Sequence, residues 1–577
     1  MFLGPKICGT EEIGEVGRAC APASRSTSPG LLRLYLGEFR RLAARRQIGA
    51  PLAFCRDLYD ASLERDPGND HCTGPRALID ALRGMEPDER DYAIATGYAL
   101  TMDAQLRQRR GVFFTPPPLV RHLIQAMVAH GLDLRRHRII DPAAGGAAFV
   151  VPLARRLLEL SVGSSPDRRV ADLRSRLAGV EVEGDLGRLA NHMIRRAVER
   201  ELLSFGPTAE ECGLVREADA LEGLPTPLFD AVIGNPPYGR LGASEFAVWR
   251  DRYPEIVKGH LNWFSIFVRR GLDLLRPGGL LGFVLPSSFV GSPSYEAFRE
   301  DVLRRAELLQ LDHIDQRHGL FFSVQQDCCF LILRKRKGRR VRTKRCSLGY
   351  LSSEGTYLNG QAFEPATDGA PWRMSCGSAT IEAESSDAET TTLAALGWVG
   401  RVGSVVPHRS TGTLLKERSD DAPRGEAVVP LLWSKAISPD GSFDPERMKE
   451  ARELIYVRCA QNSPSLIREA SILVQRTSNK QQRRRVNAAV LPSSFVGRTG
   501  ALAENHVVVL SPPPDIAENE LDDWAALLSS GAFNALFSER SGTATVSVRL
   551  LMQMPFPKAW IPEPGTRSRR GRSGKKH

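Results

Sequence analysis

The sequence lacks three features that would place it in other classes of protein. It has no run of about 18 apolar residues, the length that a membrane-spanning helix needs. Met1–Thr10 does not combine a charged start with an apolar stretch, so we expect no secretory signal and a cytoplasmic location. Its 10 cysteines are scattered and form no Cys-x-x-Cys pair, which argues against a zinc site and a disulfide framework. The sequence therefore predicts a protein with no membrane segment and no metal.

The sequence has fewer acidic than basic residues. The 577 residues include 78 Lys and Arg against 67 Asp and Glu, which gives a net charge of +11. A basic balance suits a polyanionic partner, because cationic side chains neutralise phosphates and release counterions. Many basic proteins never bind nucleic acid, so charge alone leaves a solvated surface as an equal alternative. The length predicts roughly two to four domains.

The composition and the apolar patterning change along the chain, and these changes predict five segments. They are a mostly helical N-terminal extension (1–95), an α/β catalytic domain (96–374), a linker rich in Ser, Glu and Thr (375–392), a second folded domain (393–560) and a disordered basic tail (561–577). We find no internal repeat.

The catalytic segment alternates short apolar runs with amphipathic patterns. The runs that predict buried strands are Arg138–Asp141, Leu177–Glu181, Phe229–Ile233 and Gly279–Leu285. The patterns that predict helices are Pro117–Val128, Ala147–Leu160 and Phe264–Leu275. Such alternation is typical of a mostly parallel sheet covered by helices on both faces.

The segment Asn235-Pro236-Pro237-Tyr238, the catalytic loop, follows a predicted strand and so lies at a carboxyl strand end, where ligands bind in α/β sheets. An exocyclic amine on a base is a poor nucleophile, because its lone pair is delocalised into the ring. The Asn235 oxygen and the Pro236 carbonyl can accept both amine hydrogens, which directs the lone pair at a methyl donor. The prolines stiffen the loop without offering N–H donors, and the Tyr238 ring can stack on a base. A proline-rich turn is the alternative.

Three further segments carry residues suited to a cofactor. The glycine-rich loop, Asp141–Phe149, follows a strand and opens a helix, and its glycines let a ligand approach the backbone. Glu181 ends the next strand, where a carboxylate can bind ribose hydroxyls. Asp219 could accept a hydrogen bond from an adenine amino group. A solvated strand end is the alternative for Glu181, and a helix cap or turn for Asp219.

This ordered set of motifs resembles the gamma class of amino-group DNA methyltransferases, the Taq-type enzymes and their larger relatives in restriction-modification systems. In chain order the set is Gly111–Pro117, the glycine-rich loop, Glu181, Asp219, the catalytic loop, Leu261–Phe267, Arg276–Gly279 and Phe321–Asp327. The resemblance covers residues 110–335. It implies a Rossmann-like class I methyltransferase sheet and S-adenosyl-L-methionine as the cofactor.

The resemblance also implies roles for individual residues around the cofactor. Thr115 would help hold its methionine part. Asp141, Ala143 and Gly145 would cradle its methionine and sugar end, and Glu181 would bind the ribose.

Aromatic and apolar residues would complete the two binding sites. Asp219 would read the adenine amine of the cofactor, while Phe267 and Pro237 would pack on that ring. Phe322 would stack on the flipped target base from the side opposite Tyr238. Core packing is the alternative for Phe267 and Phe322.

One position departs from the family pattern. Ala147 stands near where the family usually carries a second glycine in the glycine-rich loop. We therefore expect the backbone to approach the cofactor differently there.

The C-terminal segment weakly resembles the α+β target-recognition domains of such enzymes. Its candidate DNA contacts are Arg476, Arg483, Arg484 and Arg485, which could bind phosphates or base edges. Surface charge is the alternative for each of them. Double-stranded DNA is thus the expected partner, and a separate restriction endonuclease would fit beside it.

The sequence therefore predicts a site-specific adenine-N6 DNA methyltransferase that works on a base flipped out of the duplex. Protein-glutamine and ribosomal-RNA methyltransferases, which can carry the same loop, are the first alternative. A cytosine-N4 enzyme is the second, although that chemistry more often has Ser in the first loop position. A DNA-binding or assembly protein without catalysis is the third, supported by Ala147.

Overall fold

The computed structural model of the chain describes most of its residues. These are residues 29–45, 48–64, 76–103, 107, 114–202, 213–222, 229–257, 262–314, 327–338, 344–351, 356–360, 362–373, 389–410, 413–417, 422–451, 455–477, 484–541 and 545–563. Two predicted site residues, Phe322 and Arg483, lie outside the described residues.

In the described part of the chain, five helices precede the first strand. The helices are α1 (Pro29–Ala44), α2 (Pro51–Leu63), α3 (Arg76–Arg83), α4 (Pro87–Thr101), α5 (Pro117–Ala129), α6 (Val150–Leu160), α7 (Pro166–Arg176), α8 (Gly184–Leu202), α9 (Ala243–Arg252), α10 (Trp263–Leu274), α11 (Ser288–Gly291), α12 (Glu296–Arg305), α13 (Glu446–Ala451), α14 (Ser493–Val496), α15 (Leu521–Leu528), α16 (Gly531–Ser541) and α17 (Val548–Gln553). The strands are β1 (Ile139–Asp141), β2 (Leu177–Glu181), β3 (Val215–Glu217), β4 (Phe229–Gly234), β5 (Leu275–Pro286), β6 (Ala306–Ile314), β7 (Cys328–Lys335), β8 (Ser347–Leu351), β9 (Tyr357–Asn359), β10 (Thr390–Thr391), β11 (Val399–Val402), β12 (Leu414–Leu415), β13 (Glu426–Leu432), β14 (Tyr456–Ala460), β15 (Ser471–Gln475), β16 (Ala488–Leu491), β17 (Leu502–Ala503), β18 (Val507–Ser511) and β19 (Phe556–Pro557).

The predicted elements of the catalytic segment are confirmed. The four predicted strands are β1, β2, β4 and β5, and the three predicted helices are α5, α6 and α10. The α/β fold is therefore confirmed. Every residue of β1 and of β4 is buried, which explains why these strands appear in the sequence as continuous apolar runs. Runs of this kind are typical of strands covered on both faces.

The chain forms two compact units. The first consists of Met1–Arg121 and Ala143–Ala220, and the second of His122–Pro142 and Leu221–His577. The domain boundaries given above from sequence patterning stay predictions.

In the first unit, an ion-pair network joins the N-terminal helices to the helix that follows the glycine-rich loop. Arg155 of α6 binds Asp88 of α4 at 2.8 Å and Asp91 of α4 at 2.5 Å. Tyr59 of α2 donates a hydrogen bond of 2.7 Å to Asp91. Because these groups are largely buried, the loss of one partner would leave an uncompensated charge. In the same unit β2 and β3 pair in parallel, with Glu181 opposite Glu217.

In the second unit, the strand order is β1-β4-β5-β7-β6-β8-β9. β1, β4 and β5 run parallel, whereas β7 is antiparallel to both β5 and β6. The sheet is thus mixed rather than purely parallel. The register aligns Ile140 with Val232, so the carboxyl ends of β1 and β4 meet at one edge. Asp141 and Asn235 are the residues that these two strands deliver to that edge.

The C-terminal part of the second unit is α+β, as predicted. It contains two four-stranded sheets, with orders β11-β18-β15-β16 and β12-β14-β13-β17. Helices α15 to α17 pack on the first sheet around an apolar core. Trp398 and Trp524 meet in that core with ring centroids 5.2 Å apart.

Candidate active site

The predicted site residues fall in both compact units. Thr115, Ala143, Gly145, Glu181 and Asp219 belong to the first unit. Asp141, Phe267 and the catalytic loop belong to the second.

In the first unit, the Glu181 carboxylate closes onto the glycine-rich loop. One of its oxygens accepts a hydrogen bond of 2.8 Å from the Gly145 N–H, and the other accepts one of 2.9 Å from the Glu183 N–H. These two contacts orient the carboxylate. Glu181 and the glycine-rich loop, both of which we expect to bind the cofactor, are therefore in direct contact.

The motif before α5 lies against the same loop. A Cβ built on Gly145 would come 3.1 Å from the Phe114 ring, so the ring and the glycine are in close contact. The next residue, Thr115, is 1% exposed, and its hydroxyl has no hydrogen-bond partner among the described residues. A buried hydroxyl without a partner is costly, so a ligand with a polar group at this position fits the structure.

Ala147 adopts a backbone conformation that normally favours glycine. Its φ is 58°, close to the 54° of Gly145, and both lie in the left-handed region. An alanine pays roughly 1 kcal/mol for this conformation. The Ala147 N–H donates to the Ala144 carbonyl at 2.7 Å, which helps to hold the turn. The departure in sequence thus leaves a glycine-like turn in place.

The segment after β3 adjoins Glu181. The Ala218 N–H donates to the Glu181 carbonyl at 3.0 Å, and the next residue, Asp219, is exposed at this strand end. Sequence reasoning missed Val182, whose side chain is 63% exposed directly after Glu181. An apolar residue between two acids at a strand end was the available signal, since such a side chain can pack on a flat ligand ring.

In the second unit, Asp141 and the catalytic loop are neighbours. Gly234 immediately precedes Asn235, and a Cβ built on Gly234 would lie 2.5 Å from the Asp141 Oδ1. Only glycine therefore lets the buried Asp141 carboxylate approach the chain at this point. Pro236 is buried and Pro237 half-buried, so the loop is held on one side.

The Tyr238 side chain turns toward Asn235. Its hydroxyl lies 2.6 Å from the Asn235 Oδ1 and 3.2 Å from the Val284 carbonyl, and the Cys328 Sγ lies 3.8 Å from the same oxygen. Burial, and then the nearby Cys328, raise the pKa of the Tyr238 phenol well above its ordinary value. The phenol stays protonated and donates to the Asn235 oxygen, the atom predicted to accept the substrate amine.

The remaining predicted residues are placed as follows. Phe267 is 8% exposed on α10, which is compatible with core packing and leaves its cofactor role a prediction.

The candidate DNA-binding arginines differ in their surroundings. Arg476 donates to the Asn505 carbonyl at 2.8 Å. Arg484 is exposed, whereas Arg485 forms an ion pair of 2.7 Å with Asp327. Sequence reasoning missed this pair, because two adjacent arginines give no sign of which one faces inward.

Membrane-spanning helices and metal-binding clusters are absent from the described part of the chain. No helix there is long and apolar enough to cross a membrane. No group of three or more His, Cys, Asp or Glu side chains there is arranged to hold a metal ion.

The strand order and the glycine-rich loop identify the fold of the catalytic region. Parallel strands with an antiparallel β7 inserted beside β5, and a glycine-rich loop after β1, are features of the class I S-adenosylmethionine-dependent methyltransferase fold. The cryo-EM structure of the DrdV–DNA complex is similar, with a TM-score of 0.50 and 12% identity, and the match covers 93% of this chain and 72% of that one. At this identity the likeness concerns the fold alone.

In sequence, part of the chain is similar to methylases of restriction-modification systems. Residues 217–321 match the Eco57I restriction-modification methylase family. The type II methyltransferase M.PaeR7I of Pseudomonas aeruginosa is 28% identical over 215 residues, which are 36% of this chain and 37% of that protein. M.XhoI of Xanthomonas vasicola is 32% identical over 187 residues, which are 30% of this chain and 33% of that protein. Residues 217–321 are thus similar to restriction-modification methylases, and the matches span about a third of these relatives' length.

Proposed function

We propose that the chain is a site-specific DNA methyltransferase that transfers a methyl group from S-adenosyl-L-methionine to the N6 amine of an adenine flipped out of double-stranded DNA. The observation that carries the proposal is the position of Asn235. It follows the buried strand β4, next to Asp141, in a region that matches the restriction-modification methylases.

The first unit supports the choice of cofactor. The buried Thr115 hydroxyl, the Gly145 backbone and the Glu181 carboxylate are suited to the polar groups of the cofactor's methionine and ribose. The exposed Val182 side chain is suited to its adenine ring. When bound, S-adenosyl-L-methionine supplies an activated methyl group.

The catalytic loop would then act by positioning the amine. Asn235 Oδ1 and the Pro236 carbonyl accept the two amine hydrogens, so the nitrogen lone pair points at the donor. Holding two reactants in this geometry supplies much of the acceleration for such a transfer. The Tyr238 hydroxyl, which now donates to Asn235, has to give way to the amine, and its ring then stacks on the base.

The net charge of +11 and the exposed Arg484 support double-stranded DNA as the substrate. The adenine must leave the stack, because its amine is unreachable inside a duplex. The relatives are type II methyltransferases by name, and a separate restriction endonuclease is the second partner that we propose.

Replacement of Asn235 tests this function. The Asn235→Ala variant should lose about 100- to 1,000-fold or more in methyl transfer to DNA, the range seen when one key polar group is removed from a catalytic site. It should keep its affinity for labelled cofactor, because the residues that we assign to cofactor binding are unchanged. The matched control is Asn359→Ala at an exposed position of β9, which should keep full activity. Full activity of Asn235→Ala would refute the assignment.

A further inference from the structure

Two neighbouring arginines of the C-terminal region face different surroundings. Arg484 is exposed and forms no ion pair with the described residues. The Arg485 guanidinium lies 2.7 Å from the Asp327 carboxylate, and the two side chains are only 19% and 18% exposed. A pair this far removed from water is screened less than a surface pair, and the loss of one partner leaves a poorly solvated charge.

Asp327 lies at the edge of the catalytic site. Its carbonyl accepts a hydrogen bond of 2.8 Å from the Ser287 N–H, just beyond the carboxyl end of β5. The residue after it, Cys328, pairs with Pro286 at that end of β5. The Cys328 Sγ in turn lies 3.8 Å from the Tyr238 oxygen. Asp327 therefore immediately precedes β7, the strand that borders the tyrosine of the catalytic loop.

The backbone next to Arg485 is fixed from the other side. Asn534 of α16 accepts a hydrogen bond of 2.7 Å from the Val486 N–H and donates one of 3.0 Å to the Val486 carbonyl. Asn534 is 7% exposed, so these bonds are shielded from water. Arg485 is thus carried by a segment clamped to α16.

The same helix meets the catalytic part at a second point. A Cβ built on Gly291, the last residue of α11, would lie 1.6 Å from the Arg540 carbonyl of α16. Only a glycine permits this approach. The C-terminal region therefore contacts the segment after β5 both through α16 and through the Arg485–Asp327 pair.

We propose that Arg485 is a positioning residue rather than a DNA contact. Its ion pair holds the start of β7 against the C-terminal region, so that the docking of this region sets the position of Tyr238 and, through it, of Asn235. The inference rests on the proposed methyltransferase function. It assigns to Arg484 and Arg485 separate tasks, DNA contact for the first and alignment of the catalytic loop for the second.

Steady-state methylation kinetics with labelled cofactor separate these tasks. Arg485→Gln should lower kcat about 10- to 100-fold and change KM for DNA less than about threefold, because the catalytic loop and not the DNA contact is disturbed. Arg484→Gln should raise KM for DNA and flatten its salt dependence by roughly one counterion. Arg498→Gln, at another exposed position of the same region, is the matched control and should change neither.

Charge reversal tests the pair itself. Arg485→Asp and Asp327→Arg should each lower kcat, and the double variant should recover at least part of the loss. Arg485→Lys should retain more activity than Arg485→Gln, since it keeps the charge. If Arg485→Gln instead raises KM and flattens the salt dependence as Arg484→Gln does, with kcat unchanged, Arg485 is a DNA contact and the inference is wrong.

Hydrogen exchange keeps the inference testable apart from the proposed function. In the DNA-free protein, Arg485→Gln should speed amide exchange at Cys328–Phe330, the start of β7, while Arg498→Gln should not. If the wild-type protein methylates no DNA, the proposed function is wrong. The amide exchange rates at Cys328–Phe330 still show whether the Arg485–Asp327 ion pair holds the start of β7. Unchanged exchange in Arg485→Gln would overturn its role in holding β7.

Discussion

The catalytic loop differs in its hydrogen bonding from the cofactor side, the set of proposed cofactor residues Thr115, Gly145 and Glu181. On the cofactor side, backbone N–H groups orient the Glu181 carboxylate, and the buried Thr115 hydroxyl has no partner among the described residues. In the catalytic loop, the Asn235 oxygen is already bound by the Tyr238 hydroxyl. The first arrangement is organised for a ligand in advance, whereas the second must exchange one hydrogen bond for another when the base arrives.

Loss of the Glu181 charge should have the largest effect on the cofactor side. We expect Glu181→Gln to weaken cofactor binding about 5- to 30-fold, because hydrogen bonds to a charged group are worth about 1–2 kcal/mol more than those to a neutral one. Equilibrium dialysis with labelled cofactor measures this. Asn235→Ala should change the same Kd less than about twofold. Equal losses in the two variants would remove the distinction between the two sides.

Removal of the Tyr238 hydroxyl should have a smaller and opposite effect on the other side. Tyr238→Phe keeps the ring for stacking and removes the hydrogen bond that the Tyr238 hydroxyl donates to the Asn235 oxygen. A net hydrogen bond is worth about 1 kcal/mol, so we expect KM for DNA to fall about fivefold at saturating cofactor. Cofactor Kd should stay unchanged. An unchanged or higher KM for DNA would mean that the hydroxyl does not compete with the substrate amine.

The smallest effect concerns the turn at Ala147. In Ala147→Gly, relief of roughly 1 kcal/mol of left-handed strain is offset by the larger chain entropy that glycine loses on folding, so we expect unfolding free energy to change by less than about 0.5 kcal/mol. Ala148→Gly is the matched control, since its φ is not positive, and should cost about 0.5–1 kcal/mol. Urea unfolding measures both. Equal destabilisation would show that Ala147 carries no strain.

The strands of the catalytic segment could be predicted because burial on both faces leaves a local mark in the sequence. The apolar runs that ended at Asp141 and Glu181 marked β1 and β2, and the residues after such runs fall at the carboxyl strand ends. The glycine-rich loop and its acid could be placed for the same reason. The hydrogen bond that joins Gly145 to Glu181 was not itself predicted.

Local sequence patterns could not predict contacts between side chains far apart in the chain. They also could not tell which of two adjacent arginines forms a contact. Nothing in the loop Asn235–Tyr238 tells that the tyrosine hydroxyl turns back onto the asparagine, because this depends on Val284 and Cys328 from other strands. The ion pair of Arg485 joins residues 158 positions apart, and the neighbouring arginine has the same chemistry. Local pattern therefore indicates where a strand ends, but not which partner its side chains find.

The identity of the methylated base tests the central claim most directly. DNA incubated with the wild-type protein and isotope-labelled S-adenosyl-L-methionine is digested to nucleosides, which are then separated and identified by mass spectrometry. The proposed function predicts label in N6-methyladenine, and none when Asn235→Ala replaces the wild type. Label in N4-methylcytosine would contradict the choice of adenine, and the absence of label from DNA that carries every short sequence would contradict the proposed function.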